Sequence, residues 1–148
     1  MLKSGKKKLK NLKEINWVCS QAEKLPFKDE SFDLYSVSFG IRNFSNIDQS
    51  LKEARRVLKT GGRILCLEFS KVENEILKKL YKTYSKSIPY IGKYVTGKLE
   101  PYKYLVDSID RFYDQEKLSD IFKKNGFCKI EYRNLSGGIA AIHSGWKI

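Results

Sequence analysis

Ile64-Leu65-Cys66-Leu67-Glu68-Phe69 is an almost unbroken apolar run, entered through Gly61-Gly62 and left at Ser70-Lys71. A short run bounded by turn residues reads as a β-strand, and one apolar at nearly every position suits a parallel strand covered on both faces. Upstream, Ile47, Leu51, Ala54, Val57 and Leu58 recur at helical spacing, with Asp48 in the first turn and Lys59 in the last, as the helix dipole favours. Residues 32–39 read as another strand closed by Gly40. Before it lies a loop punctuated by Pro26 and Lys28-Asp29-Glu30-Ser31, and residues 15–19 read as a short strand.

Downstream, Ile76, Leu77, Leu80, Tyr81 and Tyr84 form a helical stripe, after which Pro89, Gly92 and Gly97 are expected to break the chain into short pieces. Residues 104–109 and 117–124 read as helices, the second stopped by Asn125-Gly126. Two strands follow, 127–133 and 139–144, and their short link across Ser136-Gly137-Gly138 predicts an antiparallel pair. Strands alternating with helices and then a hairpin imply an α/β fold: an open, mostly parallel sheet with an antiparallel C-terminal edge. A single domain over residues 1–148 is expected.

The chain carries 29 basic against 17 acidic residues, a formal net charge of +12. Such an excess favours anionic partners, but it is lysine spread along the sequence, without the arginine clusters or basic aromatic helix that nucleic-acid recognition uses. No nucleic-acid partner is expected. One histidine and three separated cysteines give a metal nothing to build on. Cys19, Cys66 and Cys128, each in an apolar stretch, read as buried free thiols of a reducing compartment. The first 13 residues hold six lysines and no acid, which reads as a lysine-rich amphipathic surface helix over 2–13 rather than a targeting segment.

In open α/β sheets ligands bind beyond the carboxyl ends of the strands. Three such ends carry polar groups here: Gln21 to Glu23, Ser38 to Asn43, and Glu68 to Lys71. Phe32-Asp33, and Arg55-Arg56-Val57-Leu58-Lys59-Thr60-Gly61-Gly62-Arg63 ahead of the next strand, are similar to the general pattern of Rossmann-like S-adenosylmethionine-dependent methyltransferases. Four further motifs are Ser38-Phe39-Gly40-Ile41-Arg42-Asn43, Leu67-Glu68-Phe69-Ser70-Lys71, Tyr104-Leu105-Val106-Asp107-Ser108-Ile109 and Gly138-Ile139-Ala140-Ala141-Ile142-His143-Ser144-Gly145. Together, and along the whole chain, they resemble the ubiquinone and menaquinone biosynthesis C-methyltransferase family, most closely its ubiquinone branch. Thr60 stands where that family usually has proline, a change a helix-ending turn tolerates.

The resemblance implies methyl transfer from S-adenosyl-L-methionine to a ring carbon of a prenylated methoxybenzoquinol. It assigns cofactor binding to Gln21, Ala22 and Ser38, and Leu25, Pro26 and Phe27 offer apolar contact to an adenine. Arg42 is the candidate catalytic cation, since a guanidinium stays charged and can stabilise the phenolate that makes the ring electron-rich. Asn43 is a candidate for orienting the ring, and Glu68 or Asp107 for the general base. His143, inside an alternating strand, reads first as a core or surface histidine and only second as a base. Residues 71–106 hold eight lysines against three glutamates among tyrosines and aliphatics, a mixture that suits a substrate lid on an anionic membrane.

A cofactor site of this kind also needs a glycine-rich turn after the first strand and an acidic residue ending the second. Neither is in the sequence: Gly61-Gly62 follows a helix and precedes a strand, the reverse of a cofactor cradle. Aligned on the family motifs, Met1-Leu2 falls in the helix after the second strand, so the fold is expected to miss its first two strands. Weak or absent cofactor binding and an exposed sheet edge follow from that. The residues leave other readings open: a non-catalytic partner in a quinone-synthesis complex, a demethylmenaquinone methyltransferase, or a basic lipid- or nucleic-acid-binding module. The implied location is mitochondrial for a eukaryotic source and cytoplasmic for a bacterial one.

Overall fold

The apolar run lies in strand β2 (Leu58–Phe69), which is paired along both edges. The computed structural model describes residue 5 and residues 15–148. In it β2 pairs in parallel with β1 (Phe32–Ser38) and antiparallel with β4 (Ala140–Trp146), and β4 pairs antiparallel with β3 (Cys128–Leu135), giving the order β1-β2-β4-β3. The sheet is therefore mixed, with the expected antiparallel C-terminal edge. One of its three pairings among the described residues is parallel. The link of β3 to β4 is a single 3-10 turn over Ser136–Gly138, too short for anything but a hairpin.

Helices α1 (Ile47–Val57) and α4 (Gln115–Lys124) cover one face. Leu51 and Ala54 of α1 and Leu118 and Phe122 of α4 pack with Ile64, Cys66 and Phe127 in one buried cluster. Capping starts both helices: the Asn46 side chain accepts from the Gln49 N–H, and that of Asp114 from the Lys117 N–H. Asp48 in the first turn of α1 accepts from Asn125 at 2.7 Å, tying it to the end of α4; that hydrogen bond holds the Asp48 carboxyl below the usual carboxylate range. α1 stops at Val57, so Arg55 and Arg56 are the basic residues of its last turn. Lys59 lies beyond it and pairs with Asp33 at 2.9 Å.

Equal cover on both faces of β2 is corrected. Ile64, Cys66 and Glu68 are buried on one side, whereas Leu65, Leu67 and Phe69 on the other are half-buried. The Gly61-Gly62 turn is absorbed into β2 as an irregularity, where the pairing jumps from Phe32–Leu58 to Leu34–Arg63. Gly61 takes φ +80° and donates to the Lys147 carbonyl at 2.7 Å, and a Cβ on Gly62 would lie 2.8 Å from the Lys59 carbonyl. Among the described residues the outer edge of β1 is unpaired, and Leu34 on that strand is 53% exposed.

Three further expectations change. Residues 15–19 form no strand, since none among the described residues pairs with them; after residue 15 the first regular feature is an isolated bridge between Gln21 and Lys24. The stretch expected to break at Pro89 and Gly92 is one helix, α2 (Glu75–Thr96), which with α3 (Glu100–Arg111) makes a helical hairpin. Gly92 serves close packing, since a Cβ there would collide with the Tyr102 ring, while Gly97 does end the helix with φ +73°. Only Cys66 is a buried thiol, pushed up to about 12 by burial; Cys19 and Cys128 are exposed. The helix expected over 2–13 lies outside the described residues, Gly5 apart.

Candidate active site

The C-terminal ends of β1 and β2 lie side by side, Ser38 pairing with Leu67. Phe39 adopts φ +50°, the left-handed region that costs a bulky residue on the order of 1 kcal/mol, and donates its N–H to the Leu67 carbonyl at 2.8 Å. That turn swings the chain across the end of β2. Ile41, fully buried, plugs into the core, and a 3-10 turn over Ile41–Asn43 presents Arg42 to Glu68.

Arg42 and Glu68 form a buried pair, Nη1 to Oε1 at 2.8 Å, with side chains 9% and 2% exposed. Nη1 also donates to the Phe39 carbonyl (2.7 Å) and Nε to Ser108 Oγ (3.3 Å), and the guanidinium lies 5.4 Å from the centre of the Phe69 ring. Glu68 additionally accepts from the Phe69 N–H at 2.9 Å and from the Arg42 N–H at 3.4 Å. A pair so removed from water must be fully hydrogen-bonded to repay its desolvation, and this one nearly is. The exception is Arg42 Nη2, which donates to nothing among the described residues. Arg42 also lines a cleft of about 400 Å³ with Tyr104, Ser108 and Arg111.

Asn43 accepts at Oδ1 from the Tyr104 hydroxyl, 3.0 Å away. Asp107 is not gathered into this group. It lies exposed on α3 and lacks the burial a base there would need, while Ser108, one residue and about 100° further round the helix, reaches Arg42. Ser108 and Tyr104 are thus site residues that the sequence reading missed, although both stand in one of the motifs it quoted. His143 is a core histidine: it is buried, shares a 2.9 Å hydrogen bond between Nε2 and the Gln115 carbonyl, and burial lowers its pKa.

The expected cofactor residues are only partly brought together. Ala22 lines a cleft of about 390 Å³ with Glu23, Leu25, Tyr35 and Asn43. Gln21 is exposed beside it in the Gln21–Lys24 turn, and Ser38 is exposed at the end of β1, outside the cleft. Phe27 turns away to pack edge-on against Phe32 at 4.9 Å. The loop is held by two α1 residues that sequence reasoning passed over. Arg56 donates to the Leu25 and Phe27 carbonyls and to Asp29, and Glu53 accepts from the Leu25 N–H at 2.8 Å. Their three-residue separation on one helix face was the available signal. Arg56, bonded to Glu53 and Asp29, is held above its ordinary pKa; Glu23, accepting from the Asn46 N–H, lies below its own.

This architecture defines a class. A structure of an S-adenosylmethionine-dependent methyltransferase from Aquifex aeolicus superposes with a TM-score of 0.68, covering 99% of this chain and 63% of that one at 15% identity. A putative methyltransferase from Bacillus halodurans gives 0.65 over 99% and 78% at 16% identity. The fold is that of the S-adenosylmethionine-dependent methyltransferases. Within that class the chain belongs to the ubiE/COQ5 methyltransferase family, whose model matches residues 1–147. It is 49% identical to the Danio rerio protein named 2-methoxy-6-polyprenyl-1,4-benzoquinol methylase, mitochondrial, over 100% of this chain and 46% of that protein. It is 53% identical to the ubiquinone/menaquinone biosynthesis C-methyltransferase of Brucella canis, over 90% and 50%. The chain spans about half the length of these relatives.

Proposed function

We propose that this chain is the acceptor side of an enzyme that methylates a ring carbon of a polyprenyl methoxybenzoquinol with S-adenosyl-L-methionine. The observation that carries this reading is Arg42, a buried guanidinium at the strand ends with Nη2 unspent, in a chain half identical to proteins named for that acceptor. When bound, S-adenosyl-L-methionine supplies a methyl group on a positively charged sulfur, and the ring gives up a proton in exchange. The ring carbon attacks only when electron-rich, which a phenolate oxygen makes it. Arg42 stabilises that oxygen from a position that Glu68 and the Phe39 carbonyl hold without reorganisation.

Asn43, its Oδ1 engaged by Tyr104, keeps its amide N–H groups to orient the ring. Glu68 acts by holding Arg42, and the proton leaves the ring to solvent through the open cleft at Arg42. The cleft at Ala22, Leu25 and Tyr35 fits the adenine end of the cofactor, with Gln21 at its edge and Ser38 at the strand end. The glycine turn and ribose carboxylate that would hold the other end have no counterpart among the described residues. The proposed test joins the part of the Danio rerio relative preceding the match to residue 1. That chimera should methylate the quinol, and Arg42→Ala should lower kcat by about a hundredfold or more while cofactor binding persists. Unchanged turnover with retained cofactor binding would sink the role of Arg42.

The hairpin over residues 71–106 serves, in this reading, as a lid at a membrane surface. Ile76, Leu80, Tyr84, Ile91 and Tyr94 project from one face of α2 into solvent, Tyr94 being 93% exposed. Lys78, Lys82, Lys86 and Lys93 belong to the same helix, about 120° or more round its axis from the middle of that strip. An exposed apolar strip on a helix rich in lysine suits an anionic lipid interface. Co-sedimentation with anionic but not neutral vesicles is expected, weakened by Ile91→Asp; equal recovery with both would remove the membrane contact. Its location would then be the matrix side of the mitochondrial inner membrane in a eukaryote and the cytoplasm in a bacterium.

A further inference from the structure

Between α2, α3 and the end of β2 lies a third space, a cavity of about 340 Å³, separate from the clefts at Ala22 and Arg42. Its walls are apolar: Phe69, Ile88, Leu105, Val106, Ile109 and Ile139 contribute most of them. Two positions give it direction. Phe69 lines it on one side and lies under the Arg42 guanidinium, so the cavity ends one side chain from the proposed reacting centre. Tyr84 lines it on the other, is 60% exposed, and belongs to the apolar strip of α2, so the cavity begins at the surface proposed to meet lipid.

We propose that this cavity holds the first isoprene units of the prenyl tail, which enters past Tyr84 and brings the quinol ring to rest beside Phe69 and Arg42. This rests on the reading of the acceptor given above. An apolar channel between a lipid-facing strip and a buried cation matches a molecule with an apolar tail and a polar ring. At about 340 Å³ the space is at the small end of ligand pockets, so it takes a few isoprene units and not a long tail. The remainder of the tail stays along the exposed strip or in the bilayer. The site therefore demands a prenyl group and is indifferent to how far that group extends beyond the cavity.

The test uses ring-free prenyl alcohols and the 148-residue chain, followed by titration calorimetry and by photolabelling with a diazirine analogue of farnesol. Saturable binding of one farnesol is expected, with geraniol weaker and geranylgeraniol no tighter than farnesol, and label recovered in α2 and α3 around Tyr84 and Val106. Val106→Trp, which fills the cavity, should weaken farnesol about tenfold. Leu105→Phe is the second variant should the first fail to fold, and Lys123→Ala, exposed on α4 and away from both strip and cavity, should leave farnesol affinity unchanged. No saturable binding, affinity that climbs with every added isoprene unit, or label away from the walls of this cavity would overturn the proposal. Methyl transfer is not required for any of these readings: a chimera that fails to methylate while farnesol still binds here would count against the reaction and not against the tail site.

Discussion

The α1/α4 face of the sheet and the α2–α3 hairpin draw on the same kinds of residue and end in opposite states. Under α1 and α4, Leu51, Ala54, Leu118 and Phe122 all disappear against Ile64 and Cys66, and Ile47 and Ile121 are partly buried beside them. Along α2, Ile76, Leu80, Tyr84, Ile91 and Tyr94 all face solvent, and Gly92 is the only buried residue of the helix. Burying a large apolar side chain is worth roughly 1.5–3 kcal/mol, so the first face holds the fold together. The second face forgoes that gain, which a soluble surface seldom does over so long a strip, and its apolar groups remain available to a partner. Arg42 sits where the two regions meet, gripped by Glu68 from the sheet and Ser108 from the hairpin.

The contrast breaks most visibly at its junction. Glu68→Ala strands the Arg42 guanidinium in a nearly dry site and should cost about 3–5 kcal/mol, read from urea unfolding. The paired replacement Arg42→Met with Glu68→Leu should recover most of that loss; failure to recover would mean that the carboxylate has a partner beyond those described. Phe122→Ala, at a fully buried position, should also cost about 3–5 kcal/mol, whereas Tyr94→Ser on the exposed strip should change stability by less than about 0.5 kcal/mol. Comparable losses at the two positions would show that the strip is covered after all.

A gentler probe of the packed side is its histidine. Burial under α4 holds the His143 imidazole below its ordinary 6.5, against the opposing pull of the Gln115 carbonyl and Glu116. The unfolded chain therefore takes up a proton that the folded chain refuses. Stability should be complete above pH 6.5 and fall as the pH drops from there toward the depressed folded value. His143→Leu should flatten that slope, and identical slopes in the two proteins would show that some other group titrates.

Much of the packed side was legible because its pattern is local. The helix at residues 47–57 announced itself through spacing and Asp48, and the β3–β4 hairpin through Gly137-Gly138. The hairpin of helices was not, since Pro89 and Gly92 have the same local preferences whether they end a helix or sit within one. What decides Gly92 is the Tyr102 ring of another helix packed against it. The same holds in the candidate site. Arg42 and Glu68 could be picked out singly, but whether Ser108 or Asp107 would meet them depends on how α3 is rotated, and Phe27 was lost to a contact with Phe32 at the start of β1.

By itself, then, the sequence determined the strands and helices of the packed side, the antiparallel end of the sheet, the family and the candidate cation, because periodicity, turn chemistry and motifs are carried by neighbouring residues. The tertiary structure alone decided that Arg42 is buried against Glu68 and Ser108, that β2 is sealed on one face and half-open on the other, and that a cavity joins Phe69 to Tyr84. Those are matters of which distant surfaces meet, and no local preference in the chain encodes them.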